Sequence, residues 1–101
     1  MLAKGIDVAC ASGGTTDICT WTADGIKQFA GFYISSSNGG YATLYVAGVA
    51  TFRVHLPYDG TDPFKELIDK PYVPNVGVIF TLKFYQDSGG ATTASGALLG
   101  G

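Results

Sequence analysis

Apolar and polar residues alternate along most of this chain with a period of two, the spacing of strands that bury one face. Leu2, Lys4, Ile6, Val8 and Cys10 alternate with Ala3, Gly5, Asp7 and Ala9 and predict a first strand. Asp17 to Thr22 reads as a short second strand, with Ile18 and Trp21 on opposite faces. Ile26 to Ile34 predicts a third, rich in aromatic residues (Phe29, Phe32, Tyr33). Tyr41 to Val46 and Val49 to Leu56 predict a hairpin pivoting at Ala47-Gly48, its second arm placing Phe52, Val54 and Leu56 on one face. In the strongest pattern, Val76, Val78, Phe80, Leu82 and Phe84 share one face, and Gly77, Ile79, Thr81, Lys83 and Tyr85 the other. Ile79 and Tyr85 on that second face predict that it too is partly covered.

Breaks between these runs have turn chemistry. Ala11-Ser12-Gly13-Gly14, Ala23-Asp24-Gly25 and Ser35 to Gly40 supply Gly and Asn, which accept positive φ at little cost. One segment departs from the strand pattern. Asp62 suits a helix N-cap, Pro63 the first helical position, and Pro71 a stop, so a short helix is expected near 63–70. The expected architecture is all-β, a two-layer sandwich or jelly-roll-like fold of about six to eight strands with that one helix.

Beyond Gln86 the character changes: residues 87–101 hold no aromatic residue and a single charge. The chain therefore divides into a β domain over 1–86 and a Gly/Thr/Ala-rich C-terminal tail or arm over 87–101. Leu98 and Leu99 near its end are unusual for a linker and suit docking on a neighbouring subunit.

Composition sharpens the picture at one point. Hydrophobic residues make up 47 % and mean hydropathy is +0.24. Only 14 % of residues are charged, against about 25 % in an ordinary soluble domain. Six basic and eight acidic side chains leave much of a small domain's exterior without charge, which points to contact with other polypeptides. The net charge of −2, with Lys4, Lys27, Arg53, Lys65, Lys70 and Lys83 scattered singly, argues against nucleic acid as a partner. No apolar run is long enough for a transmembrane helix, so no membrane role is expected. Met1 to Cys10 lacks the apolar stretch of a secretory signal, which makes the cytoplasm the expected site of synthesis and assembly.

Catalytic chemistry is not legible. The single histidine, His55, lies mid-strand beside Arg53 with no evident nucleophile or orienting acid. Asp59, Asp62 and Glu66 have turn and capping roles open to them, and Asp59-Gly60-Thr61-Asp62 lacks the remaining ligands of a calcium loop. No metal, no cofactor and no enzymatic activity are expected. Cys10 and Cys19 read either as two buried thiols or as one bridge between adjacent strand ends. Among six tyrosines, Tyr58 and Tyr72 stand in expected loops where strand propensity does not account for them. The expected contact residues are Tyr58, Tyr72, Tyr85, Ile79, Leu98 and Leu99.

Over roughly residues 15–86 the chain resembles the small head decoration or cement proteins of tailed phages. The resemblance rests on Ala42-Thr43-Leu44-Tyr45-Val46-Ala47-Gly48, Phe52-Arg53-Val54-His55-Leu56-Pro57 and Val78-Ile79-Phe80-Thr81-Leu82-Lys83-Phe84. It implies a non-enzymatic virion subunit, often oligomeric, that binds other capsid subunits and assigns no roles to single residues. The other class of function open to the sequence is a carbohydrate-binding or adhesive β-sandwich, such as a fibre tip, with Tyr58, Tyr72 and Trp21 as stacking surfaces.

Overall fold

A computed structural model describes residues 1–56, 63–87, 90 and 92–101. Eight strands account for most of them: β1 (Ala3–Cys10), β2 (Thr15–Thr22), β3 (Phe29–Ser36), β4 (Gly40–Val46), β5 (Val49–Leu56), β6 (Phe64–Tyr72), β7 (Ile79–Gln86) and β8 (Thr92–Gly100). They form two four-stranded antiparallel sheets of order β1-β8-β3-β6 and β2-β7-β4-β5. The molecule measures 40 × 21 × 20 Å. An eight-residue strand is about 26 Å long, so the strands run along the long axis and the loops cluster at its two tips.

Pairing is nested about one pivot. β4 pairs with β5, β3 with β6, β2 with β7 and β1 with β8. The pivot is Ala47-Gly48, both at positive φ (52° and 79°), the two-residue turn whose twist matches that of a hairpin. The sequence reading places this hairpin correctly.

Apolar faces of the two sheets meet in a core built largely of aromatic rings. Phe80 lies 4.6 Å from Phe29 and 5.2 Å from Trp21, and Phe32 lies 5.6 Å from Phe52 and 6.0 Å from Phe64. Phe80, Leu82 and Phe84 are fully buried, as the alternation in that segment predicts. Two β-bulges change what alternation alone implies. A register shift between Asp17 and Cys19 lets Ile18, Cys19 and Trp21 all face inward, whereas strict alternation sets Ile18 against Trp21. In β1 the shift between Gly5 and Val8 turns Ile6 outward while Val8 and Cys10 keep the inner face. Asp7 at that bulge has a φ of 49°, and its N–H donates to Ser95 Oγ at 2.9 Å.

The expected helix near 63–70 is a strand. Residues Phe64–Tyr72 pair with β3, with Phe64, Glu66 and Ile68 turned toward the core and Lys65, Leu67 and Asp69 away. That is period two, and a long partner strand supplies hydrogen bonds that an isolated two-turn helix lacks. β6 approaches β3 so closely at Gly31 (φ 148°) that a Cβ there would stand 2.1 Å from the Glu66 carbonyl oxygen. The proposed cap, Asp62, lies outside the described residues, as do Tyr58 and Asp59.

Residues 92–100, expected to belong to a tail or arm, form β8 between β1 and β3. The small residues that suggest a linker are here the inner surface of a crowded sheet. Ala94, Ala97 and Leu98 are buried, and a side chain at Gly96 would meet Leu82 and the Tyr33 carbonyl oxygen at 2.9 Å. Ile26, Val76 and Val78, expected within strands, precede β3 and β7 and lie in loops. Asp24 Oδ1 accepts from the N–H groups of both Ile26 and Lys27 at 2.9 Å, which folds the first of these loops into a tight turn. The same two donors hold the Asp24 carboxyl below its usual range.

Cys10 and Cys19 are both free thiols and both buried. Burial pushes the Cys19 thiol up to about 11 and raises that of Cys10, so both are held as the unreactive neutral form. At pH 8 the native protein is expected to react with a thiol reagent far more slowly than in denaturant, where two equivalents titrate. Rapid reaction of the native protein would contradict this packing.

Candidate functional site

Two surfaces stand out, one apolar at a tip of the sandwich and one tyrosine-rich on a sheet face. The tip gathers the β2–β3 loop, the β4–β5 turn, the β6–β7 loop and the start of β1. Backbone hydrogen bonds tie these segments together: Ala23 N–H to Val78 O at 2.8 Å, Gly77 N–H to Ala23 O at 2.9 Å and Ala47 N–H to Ile79 O at 2.9 Å. Among the described residues ten large hydrophobic side chains are exposed, and seven of them share this tip: Met1, Ile26, Val49, Tyr72, Val73, Val76 and Ile79. Ile26 and Val76 are 79 % and 75 % exposed. The described loops of the opposite tip, 11–14 and 37–39, present Ser, Gly, Asn and Ala instead. The apolar exterior implied by the low charge content is therefore concentrated in one place. Ile26, Val73 and Val76 come from loops, where period-two reasoning has no purchase; the sequence signal that marks them is a large aliphatic residue beside turn residues.

The second surface is the outer face of β2-β7-β4-β5. Register sets its side chains in rows across the sheet. Thr15, Tyr85, Tyr41 and His55 form one row, and Asp17, Lys83, Thr43 and Arg53 the next. Thr20, Thr81, Tyr45 and Ala50 form the third. The Arg53 guanidinium carbon stands 4.2 Å above the Tyr41 ring, and the His55 ring lies 4.7 Å from the same ring. Lys83 Nζ is 3.3 Å from Asp17 Oδ1 and 5.2 Å from the centre of the Tyr45 ring. Depressions open between these side chains, one lined by Thr15, Thr43, Tyr45, Ala50, Arg53, Lys83 and Tyr85. A second, continuous with the apolar tip, is lined by Tyr45, Ala47, Val76, Ile79 and Lys83 among others.

The residues expected to make contacts do not converge. Ile79 and Tyr85 lie on the tyrosine face, 47 % and 38 % exposed, so that face is left open within the chain. Tyr72 ends β6 in the other sheet, its ring 6.3 Å from that of Phe29 and nearly perpendicular to it. Leu98 is fully buried in the chain's own core, and Leu99 is half-buried on β8. Trp21 is buried against Phe80 and offers no stacking surface. Tyr58 lies outside the described residues.

His55 Nε2 is 3.9 Å from Asp87 Oδ2, beyond hydrogen-bond distance. Among the described residues no three His, Cys, Asp or Glu side chains gather as metal ligands. Comparison with protein-family models, with curated proteins and with solved structures finds nothing that matches this chain.

Proposed function

We propose that this chain is a non-enzymatic structural subunit of a virus or phage particle, a decoration, cement or minor capsid component that stabilises the particle through protein-protein contacts. The observation that carries the reading is the apolar tip. Seven exposed large hydrophobic side chains at one end of a chain with only 14 % charged residues form a surface that water disfavours and another polypeptide favours. The nested strand pairing supports a jelly-roll reading of the sandwich, an architecture that recurs in capsid and lectin domains. Fold alone does not carry function, so the tip is the argument. The proposed partners are further copies of this chain and other capsid subunits, and the proposed location is the assembled particle.

Burying one aliphatic side chain contributes about 1.5–3 kcal/mol, so two removed from a contact weaken it by about two to four orders of magnitude. The double variant Ile26→Ser, Val76→Ser is therefore expected to sediment as a monomer at concentrations where the wild type is oligomeric. Its unfolding free energy should stay within about 1 kcal/mol of wild type, because both side chains already face solvent. An oligomer that survives both substitutions contradicts the proposal.

A further inference from the structure

The tyrosine face carries a cation whose placement no feature of the fold requires. Arg53 lies on β5, an edge strand, and among the described residues it forms no ion pair. Its guanidinium lies 4.2 Å over Tyr41, which limits the conformations of a long side chain. Lys83, on the other side of Thr43 in the same row, is already neutralised by Asp17 at 3.3 Å. One row along stands Tyr45 and one row back stands Tyr85, with the hydroxyls of Thr15 and Thr43 in the depression between them.

We propose that this face binds an acidic oligosaccharide, its carboxylate held by Arg53 and its sugar rings lying over Tyr45 and Tyr85. A guanidinium presents a planar fork of N–H donors that matches a carboxylate, and one restrained beforehand loses less freedom on binding. Pyranose rings have an apolar face of C–H groups and a rim of hydroxyls. Tyrosine offers a flat apolar ring for the first and a polar tip for the second. Tyr45 and Tyr85 stand two rows apart, four residues along the strands or about 13 Å, which favours a short chain over a single sugar. Asp17 and Thr43 supply acceptors for hydroxyl donors, and their presence distinguishes the face from a phosphate-binding one. A nucleic acid would need a continuous basic stripe, whereas here Thr43 separates Arg53 from Lys83 and Asp17 borders Lys83. The inference goes beyond the structural role and uses a different surface, so it stands or falls independently of the apolar tip.

Titration of the full chain by isothermal calorimetry, with backbone amide shifts followed by NMR, tests it. The probes are oligogalacturonate and its methyl ester, which masks each carboxylate on the same backbone, and sialyllactose with lactose as its neutral counterpart. At least one acidic probe is expected to bind about tenfold or more tightly than its neutral counterpart, the difference made by one charge-assisted bidentate contact. Shifts should centre on Thr43, Tyr45, Arg53 and Lys83. Arg53→Gln should remove the preference for the acidic form and leave the weaker binding of the neutral one, while Tyr45→Ala should weaken both. Both side chains face outward, so both variants should fold. If neither acidic probe binds, or if Arg53→Gln binds as the wild type does, the proposal is overturned.

Discussion

A chain ending at Asp87 is expected to lose cooperative folding altogether. β8 lies between β1 and β3, so removing it strips backbone partners from both neighbours, and β1 is left with no strand beside it in its sheet. Ala94, Ala97 and Leu98 leave the core at the same time. Each ladder hydrogen bond contributes about 1 kcal/mol net, and a domain of this kind is stable by only about 5–15 kcal/mol in total. Two ladders and part of a core exceed that margin. Far-UV circular dichroism and urea titration should show no sigmoidal transition for the shortened chain. A cooperative transition near that of the full chain would mean that 92–101 is a dispensable arm.

Phe80→Ala is expected to be the most damaging single truncation of a side chain. Phe80 is fully buried at the centre of the aromatic core, in contact distance of Trp21 from β2 and Phe29 from β3, and so joins the two sheets. Large-to-small changes at such a site cost about 3–5 kcal/mol, and the lost ring pairs place it toward the upper end. For a chain of this length each kcal/mol lowers Tm by about 4–8 °C, so a fall of roughly 15–40 °C is expected. Tyr85→Ala, on the outer face of the same strand, should cost about 1 kcal/mol. Equal losses for the two variants would contradict the assignment of inner and outer faces.

The contrast between these two segments shows what sequence reasoning reaches. β7 is legible because Phe80, Leu82 and Phe84 alternate without interruption with Ile79, Thr81, Lys83 and Tyr85, and the hairpin because Ala47-Gly48 interrupts two such runs. β8 is hidden because a strand packed between two others in a crowded sheet is built of Ala, Gly, Ser and Thr, the same residues that make a linker. Its only apolar signal, Leu98-Leu99, points outward to a partner when read locally and inward to the core once β1 and β3 flank it. β6 is misread because Pro63 and Pro71 match helix boundaries, while the strand's claim on the segment comes from β3, more than thirty residues away in sequence. The bulges in β1 and β2 likewise depend on partners that local alternation does not contain.

The candidate surfaces were legible to different degrees for related reasons. Low charge content predicts that an apolar exterior exists, but its location depends on which loops meet at which tip. Ile26, Val73 and Val76 become one patch only because β2 ends beside the start of β7, through the bonds joining Ala23 with Gly77 and Val78. Tyr85 and Ile79 are readable as an outer pair from alternation alone. Their neighbours Tyr41 and Tyr45 join them through the β4–β7 register, a long-range fact.

Sedimentation velocity of the intact wild-type chain, from low micromolar to millimolar concentration, puts the apolar tip to its most direct test. Protein-protein burial of that tip predicts a discrete oligomer whose population grows with concentration and which Ile26→Ser, Val76→Ser abolishes. A single monomeric species across the whole range, fully soluble at its top, would contradict it.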